Sequence, residues 1–179
     1  MKEFRTISIE ELKQNTKPDY VSEGFIIYNN IAKEKEFLRQ QVELQQIYVT
    51  GTFSFSLCRR GTTEFMIGDQ KYRIKKNHLI IVLPKQLVGF SQTSPDYEAG
   101  LICISGDYFR ERFKGIIPLF LTMKYQPIIE LNEEEVNRLE WYQLLLSKRT
   151  GNPNSQFFYT AVHNLIHALF YELYGFIVN

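Results

Sequence analysis

The chain has 179 residues, of which 44% are hydrophobic, 15% aromatic and 23% charged. This size and composition suit one globular domain with a substantial core, and they exclude a disordered chain. The net charge of +1 gives no electrostatic attraction for nucleic acid or an anionic membrane, so neither is expected as a direct partner.

The cysteine pattern gives no sign of a metal site or a redox motif. Cys58 and Cys103 stand far apart in strand-like runs, without CxxC spacing. We therefore predict two reduced thiols in the core of a cytoplasmic protein. The N-terminal Met-Lys-Glu-Phe-Arg is followed by no apolar stretch, so no secretory signal is expected.

Residues 1–20 are polar and are interpreted as an N-terminal arm. The segment Ser8-Ile9-Glu10-Glu11 has the pattern of a helix-capping box, which predicts a short helix beginning there. Lys17-Pro18-Asp19 is expected to end it, since proline cannot continue a helix.

Residues 21–131 are interpreted as a β-barrel of jelly-roll type, because short strands and turn signals follow one another at close spacing. Phe53 to Cys58 alternates strictly between large and small residues, which indicates a strand with two different faces. The alternation leaves open which face points inward. The predicted strands are Gly24–Ile31, Val42–Val49, Phe53–Arg59, Thr62–Ile67, Gln70–Ile74, His78–Leu83, Leu87–Gln92, Glu98–Ser105 and Pro127–Leu131.

Residues 132–179 are interpreted as a helical region that follows the barrel. Asn132 can cap a helix whose first turn carries three glutamates, a favourable charge at that end of the helix dipole. Thr150-Gly151-Asn152-Pro153 predicts a break, and a last helix is expected from about Asn154. One or two helical turns at Asp107–Phe113 are also predicted.

The last predicted helix is apolar on nearly every face, so more than one of its sides must be covered. Three interpretations remain: a membrane span, the core of a larger domain, or a helix packed between the barrel and a second subunit. Polar residues spread along it argue against the membrane. The core-facing stripe is predicted to be Phe158, Val162, Leu165, Leu169 and Leu173, and the residues predicted for a dimer interface are His163, His167, Phe170, Tyr171 and Tyr174.

His163 and His167 have the i, i+4 spacing of a zinc-protease helix. Asn164 stands where that motif carries its glutamate, and no third ligand is suggested nearby. We therefore predict no metal at this pair and interpret it as an interfacial or capped pair of histidines.

The ordered series of strands and turns in FSFSLCRRGTTEFMIGDQKYRIKKNHLIIVLP, followed by the helical segment PIIELNEEEVNRLEWYQLLL and the last helix, resembles the N-terminal half of AraC-family transcription regulators. The resemblance implies a mainly β fold, a cupin-like double-stranded β-helix (jelly-roll) barrel followed by two α-helices. It also implies a regulatory domain that binds a small-molecule effector, a sugar or another metabolite, and forms a homodimer.

The resemblance also locates the positions where cupins hold metal ligands. These positions fall near Tyr48, Thr50 and Val88 or Gly89, none of which is His or Glu, and His78 is interpreted as a turn residue. No metal, cofactor or catalytic group is therefore expected. The predicted ligand-binding residues are Tyr48, Thr50, Arg59 and Phe90. Core packing is an equal alternative for Tyr48 and Phe90, and the alternatives for Arg59 are a solvated strand end and a contact with a carboxylate or phosphate group.

In the resembled family a helix-turn-helix half follows the last helix and binds DNA. We expect this chain to be truncated, to bind DNA only through that missing half, and to have no membrane partner. The alternatives are a stand-alone cupin-fold binding or interaction protein, and a cupin enzyme that would need metal ligands.

Overall fold

The computed structural model describes residues 4–43, 47–149 and 157–178. Within them the chain forms strands, helices and two short 3-10 helices, at Ile31–Lys33 and Leu121–Lys124. The strands are β1 Thr6–Ile7, β2 Tyr20–Val21, β3 Phe25–Tyr28, β4 Tyr48–Thr50, β5 Thr52–Arg60, β6 Thr63–Ile67, β7 Gln70–Ile74, β8 His78–Val82, β9 Leu87–Thr93, β10 Glu98–Ser105 and β11 Ile128–Glu130. The α-helices are α1 Ile9–Asn15, α2 Lys35–Glu43, α3 Gly106–Arg112, α4 Ile117–Phe120, α5 Glu133–Arg149 and α6 Phe158–Val178.

The strands form two sheets that face each other. The first has the order β1-β4-β9-β6-β7 and the second the order β11-β8-β5-β10-β3-β2. The pairs are antiparallel, except that β1 runs parallel to β4. Strands that are distant in sequence are therefore neighbours, as in a jelly roll. The predicted mainly β fold with a cupin-like barrel and C-terminal helices is confirmed.

The second sheet is buried on both faces. On β5, Phe53, Phe55 and Leu57 pack in the cluster that includes the helices, and the residues between them point into the barrel. On β8, Leu79 and Ile81 join the helical cluster, whereas Ile80 and Val82 join the cluster inside the barrel. This two-sided burial explains why β8 is almost continuously apolar instead of alternating with polar residues.

The helical layer is tied to the second sheet by aromatic rings. Phe53 of β5 stacks on Phe109 of α3, with ring centroids 4.4 Å apart. Phe170 of α6 lies within ring contact of both, at 5.3 Å and 5.4 Å. The helical layer and the outer face of the second sheet therefore form one continuous hydrophobic cluster.

Helix α6 is long and apolar enough to cross a membrane by length and composition. Its inner side nevertheless packs against the second sheet and α3, as expected for a core helix. The predicted stripe is buried apart from the half-buried Leu165. The buried residues of α6 are Phe158, Val162, Ile166, Leu169, Phe170, Leu173 and Phe176.

Both predicted helix caps are confirmed. The Ser8 hydroxyl accepts a hydrogen bond from the Glu11 amide at 3.2 Å. The Asn132 side chain accepts one from the Glu135 amide at 3.0 Å, and the Glu135 carboxylate accepts one from the Asn132 amide at 2.8 Å.

One predicted strand is partly wrong. The prediction Val42–Val49 falls on the end of α2 (Lys35–Glu43) and on β4 (Tyr48–Thr50), while residues 44–46 lie outside the described part. The run Lys35-Glu36 and Arg39 consists of straight-chain residues that favour helix. The predicted break at Thr150–Pro153 and the helix start at Asn154 also lie outside the described residues, and α6 begins at Phe158 in the described part.

Candidate functional site: the barrel cavity

A cavity lies inside the barrel between the two sheets. The space open to the centres of water-sized molecules is about 90 Å³. Close packing normally leaves few voids larger than a water molecule, so a cavity of this size needs an explanation. Leu12 of α1 and Phe37 and Leu38 of α2 close one side of it, so the N-terminal helices form its cover.

One wall of the cavity is a strip of hydroxyl groups. Thr52, Ser54 and Ser56 occupy alternate positions of β5, and therefore share the face that points inward. The Thr50 and Thr52 hydroxyl oxygens are 3.0 Å apart, and those of Thr52 and Ser54 are also 3.0 Å apart. We call Thr50, Thr52, Ser54 and Ser56 the hydroxyl strip.

Three tyrosines and Thr63 add further polar groups to the lining, and the Thr63 hydroxyl donates to the Gln92 carbonyl at 2.8 Å. The hydroxyl of Tyr28 lies 2.6 Å from that of Thr16, which follows α1, so this bond holds part of the cover against the barrel wall. Burial raises the pKa of Tyr28, Tyr48 and Tyr97 above the usual value for tyrosine, so all three are neutral at physiological pH. Burial also raises the pKa of the Cys103 thiol to about 12, against smaller opposing effects of hydrogen bonds from Ser54 and Thr52.

The rest of the lining is apolar. Phe65 and Phe90 contact each other edge to face on the first sheet, with centroids 4.8 Å apart. Aliphatic residues of β7 to β10 also line the cavity. Such a cavity, mostly apolar with a few oriented polar groups, has the character of a small-molecule site.

The structure brings three of the four predicted ligand-binding residues together. Tyr48, Thr50 and Phe90 all line the cavity. The prediction for Arg59 requires correction, because Arg59 occupies the helix-facing side of β5 together with Phe53, Phe55 and Leu57. The sequence alternation places a residue two positions beyond Leu57 on that face.

Arg59 instead links the barrel to α5. Its Nε donates to the Glu140 carboxylate at 3.0 Å, and its guanidinium also donates to Gln143 and to the Asn29 carbonyl. The Gln143 amide donates to the Tyr28 carbonyl at 3.1 Å. We call Arg59, Glu140, Gln143 and these two carbonyls the α5 clamp.

Gly100 makes the α5 clamp possible. A Cβ atom at this position of β10 would lie 2.5 Å from Oε1 of Gln143 and 3.0 Å from the Arg59 guanidinium. A larger residue would therefore displace the clamp, since real Cβ atoms do not approach other atoms so closely.

The residues predicted for a dimer interface have different environments. Tyr171 is exposed, Tyr174 is half-buried, and Phe170 is fully buried. The prediction for Phe170 therefore requires correction, because its ring contacts other rings of the same chain and is inaccessible to a second subunit.

His163 and His167 both have partners within the chain. His163 Nδ1 lies 3.0 Å from the Tyr108 hydroxyl, and His167 Nε2 lies 3.2 Å from the Arg112 carbonyl oxygen. Burial lowers the pKa of His163, with smaller contributions from His167 and Arg112. The half-buried pair thus packs on α3. Within residues 4–43, 47–149 and 157–178, no three His, Cys, Asp or Glu side chains converge as metal ligands would.

His78 is the first residue of β8 and lies outside the cavity lining. Its Nδ1 atom is buried without a hydrogen-bond partner. Burial lowers the pKa of His78, and Lys75 lowers it further, whereas Glu130 opposes the shift.

Sequence reasoning missed the inward-facing residues of β5 and two of the three tyrosines, Tyr28 and Tyr97. The alternation of Phe53–Cys58 identified two faces, but hydrophobicity alone favours turning the phenylalanines inward. The information that decides the orientation is the apolar α6, which needs a large apolar surface to cover it.

Comparison with known proteins locates a family match on this part of the chain. A family model described as the AraC-like ligand binding domain matches residues 47–116, which include β4 to β10. The search of curated proteins found no match.

Matches among solved structures include regulators and an enzyme. The AraC-like transcriptional activator CuxR has 8% identity and a TM-score of 0.49, over 87% of this chain and 48% of that chain. ToxT K231A from Vibrio cholerae has 6% identity and a TM-score of 0.47, over 85% of this chain and 56% of that chain. Oxalate decarboxylase from Bacillus subtilis has 10% identity and a TM-score of 0.34, over 57% of this chain and 25% of that chain. This chain spans about half the length of the CuxR and ToxT structures.

Proposed function

Starting from the AraC-like ligand-binding domain at residues 47–116, we propose that this chain is the ligand-sensing and dimerising part of an AraC-type transcription regulator. The observation that carries the proposal is the cavity inside the barrel. A small-molecule effector binds there, and DNA is contacted through a separate helix-turn-helix half. The protein acts in the cytoplasm, without a membrane partner and without a catalytic step.

The cavity is suited to sensing because its cover and its wall belong to different parts of the fold. The Tyr28 hydroxyl reaches Thr16 beside α1, while the Tyr28 carbonyl accepts from Gln143 of α5. An effector that shifts Tyr28 therefore changes both the cover and the α5 clamp. A ligand can shift an equilibrium only through such differential contacts with the two states.

A homodimer is proposed through the outer surface of the helices. Trp141, Leu144 and Leu145 lie on one side of α5 and are exposed, as is Tyr171 on α6. Exposed aromatic and aliphatic groups of this size are typical of interfaces between subunits. A two-fold dimer would suit a pair of DNA half-sites.

Ligand sensing is tested by screening a metabolite library for compounds that raise the melting temperature. A ligand at a hundred times its Kd adds about 2.7 kcal/mol, which corresponds to about 5–10 °C for a domain of this size. The wild type is compared with Ser54→Leu, which fills the cavity, and with Gln92→Leu on the exposed side of β9. We expect hits to stabilise the wild type and Gln92→Leu but not Ser54→Leu.

Two results would count against sensing in the barrel. One is a library without any stabilising compound, and the other is equal stabilisation of Ser54→Leu. In the second case the ligand site lies elsewhere, and a stand-alone binding or interaction protein becomes the better interpretation.

The dimer is tested by light scattering at micromolar concentration. We expect a dimer for the wild type and a monomer for Trp141→Glu, because a buried unpaired carboxylate opposes association. A wild-type monomer at this concentration would refute the dimer proposal.

A further inference from the structure

We infer that the barrel cavity takes an uncharged, compact and mainly apolar molecule that presents a single hydrogen-bond donor to the hydroxyl strip. This inference rests on the proposed function and specifies the chemical class of its effector. It narrows the earlier expectation of a sugar or another metabolite.

The first observation is the absence of charge on the cavity wall. Among the described residues that line the cavity, none is Asp, Glu, Lys, Arg or His. Arg59, the charged residue that follows the cavity-lining residues along β5, faces α5 instead and forms an ion pair with Glu140. A charged ligand would therefore lose its hydration without gaining an ionic partner, which is strongly unfavourable in a buried site.

The second observation is the state of the hydroxyl strip. Thr50, Thr52 and Ser54 form a continuous chain of hydroxyl contacts at 3.0 Å, and the Thr50 hydroxyl also reaches the Thr52 carbonyl at 3.3 Å. Each hydroxyl has one donor and two acceptor positions. The contacts among Thr50, Thr52 and Ser54 use the donor positions of these hydroxyls and leave some of their acceptor positions free. The complementary ligand therefore supplies an O–H or N–H group.

The third observation is that the lining is mostly apolar and carries its hydroxyl strip on one continuous segment. This segment runs from β4 of the first sheet into β5 of the second, whereas Phe65 of β6 and Phe90 of β9 present only ring surface. A sugar has hydroxyls on all sides, and those facing the rings would be buried without partners. A ligand with one polar end and an apolar body satisfies both the hydroxyl strip and the ring surface.

The fourth observation is size. The cavity of about 90 Å³ is smaller than an apolar cavity of about 150 Å³ that holds benzene. A molecule with one small ring and a short polar substituent fits once the lining relaxes, and a larger one requires displacement of α1 and α2.

The test uses four probes with the purified protein at neutral pH: benzyl alcohol, benzoate, benzylamine and D-xylose. The first three share a ring and differ in charge, and the fourth is neutral but polar on every side. Binding is measured by titration with amide chemical shifts as the signal, for the wild type, Ser54→Leu and Gln92→Leu. The shifts also report the folding of each variant.

We expect benzyl alcohol to bind the wild type and Gln92→Leu, and to bind Ser54→Leu at least about tenfold more weakly, because overfilling the site opposes the ligand. Benzoate, benzylamine and D-xylose are each expected to bind at least about tenfold more weakly than benzyl alcohol. This pattern would support the inference.

Other results overturn the inference and are distinguishable from failure of the proposed function. If benzoate or benzylamine binds as tightly as benzyl alcohol and Ser54→Leu abolishes it, the cavity is a ligand site of another class. If D-xylose binds more tightly, the single polar end is refuted. If none of the four binds, the inferred class is refuted, and the library screen decides separately whether the barrel senses any ligand.

Discussion

Replacing Phe170 with alanine tests whether α6 is an integral part of the domain core. The Phe170 side chain is 0% exposed, compared with 60% for the adjacent Tyr171. Its ring centroid lies 4.7 Å from Phe113, 5.3 Å from Phe53 and 5.5 Å from Phe120. The ring therefore joins β5, α4 and the end of α3 to α6.

The expected loss follows from this burial. Truncation of a fully buried phenylalanine lowers the free energy of unfolding by about 3–5 kcal/mol, because transfer energy is lost and a cavity remains. Edge-to-face ring pairs contribute about 0.5–1.5 kcal/mol each beyond the buried area, which favours the upper end. Tyr171→Ala should cost less than about 1 kcal/mol, since its ring is largely in water already.

The assay is urea unfolding followed by far-UV circular dichroism, with Phe170→Leu as a milder variant that stays folded if Phe170→Ala does not. The order of stability should be wild type, Tyr171→Ala, Phe170→Leu and Phe170→Ala. Equal midpoints for Phe170→Ala and Tyr171→Ala would refute the assignment of α6 to the core and would favour an α6 that packs mainly elsewhere.

Three further predictions concern pH, the α5 clamp and two turns. Burial lowers the folded-state pKa of His78 from its usual 6.5, so the unfolded chain binds the proton more readily. The contribution of His78 to the free energy of unfolding should therefore be complete above pH 6.5 and be lost as the pH falls below it. Urea midpoints at several pH values should show a smaller loss for His78→Phe than for the wild type, and an equal loss would contradict this prediction. Arg59→Met should lower the free energy of unfolding by about 2–3 kcal/mol, because the buried groups that accept hydrogen bonds from Arg59 lose a charged donor. Glu140→Gln should lower it by less than about 1 kcal/mol. Equal effects of the two substitutions in thermal melts would show that the exposed ion pair supplies most of the contribution of Arg59. Gly61 and Gly68 both have positive φ, at 72° and 64°, but a Cβ atom at Gly61 would lie 2.6 Å from backbone, whereas one at Gly68 would meet nothing within 4 Å. Gly68→Ala should therefore lower the free energy of unfolding by about 1–2 kcal/mol, and Gly61→Ala should lower it clearly more. Equal losses measured by calorimetry would disprove the steric argument.

The sequence allowed the strands, caps and general architecture to be predicted because their signals are local. Ser8 and Asn132 cap helices through residues three positions away, and period-two alternation marks β5 wherever the strand lies in the fold. Helix α2 was missed because its role as part of the cavity cover depends on contacts with the barrel, which lie outside any short sequence pattern.

The candidate site could be predicted only in part. Tyr48 and Thr50 were predicted from a family resemblance that locates positions on strands, and Phe90 was predicted beside them; all three line the cavity. Arg59 was predicted to lie in the cavity and Phe170 in a dimer interface. Both errors concern which face of a strand or helix packs against which layer of the fold. That choice depends on long-range packing between β5 and α6, whose residues are more than a hundred positions apart in the sequence.

The two faces of β5 separate two tasks along one strand. Substitutions among Thr52, Ser54 and Ser56 change what the cavity accepts, whereas Phe53, Phe55 and Leu57 hold the helices. A related chain could therefore acquire a new effector through point mutations at alternate codons while its helical layer keeps the same packing. Ligand specificity can then change while the packing of the helices is kept, within the six consecutive residues Thr52 to Leu57.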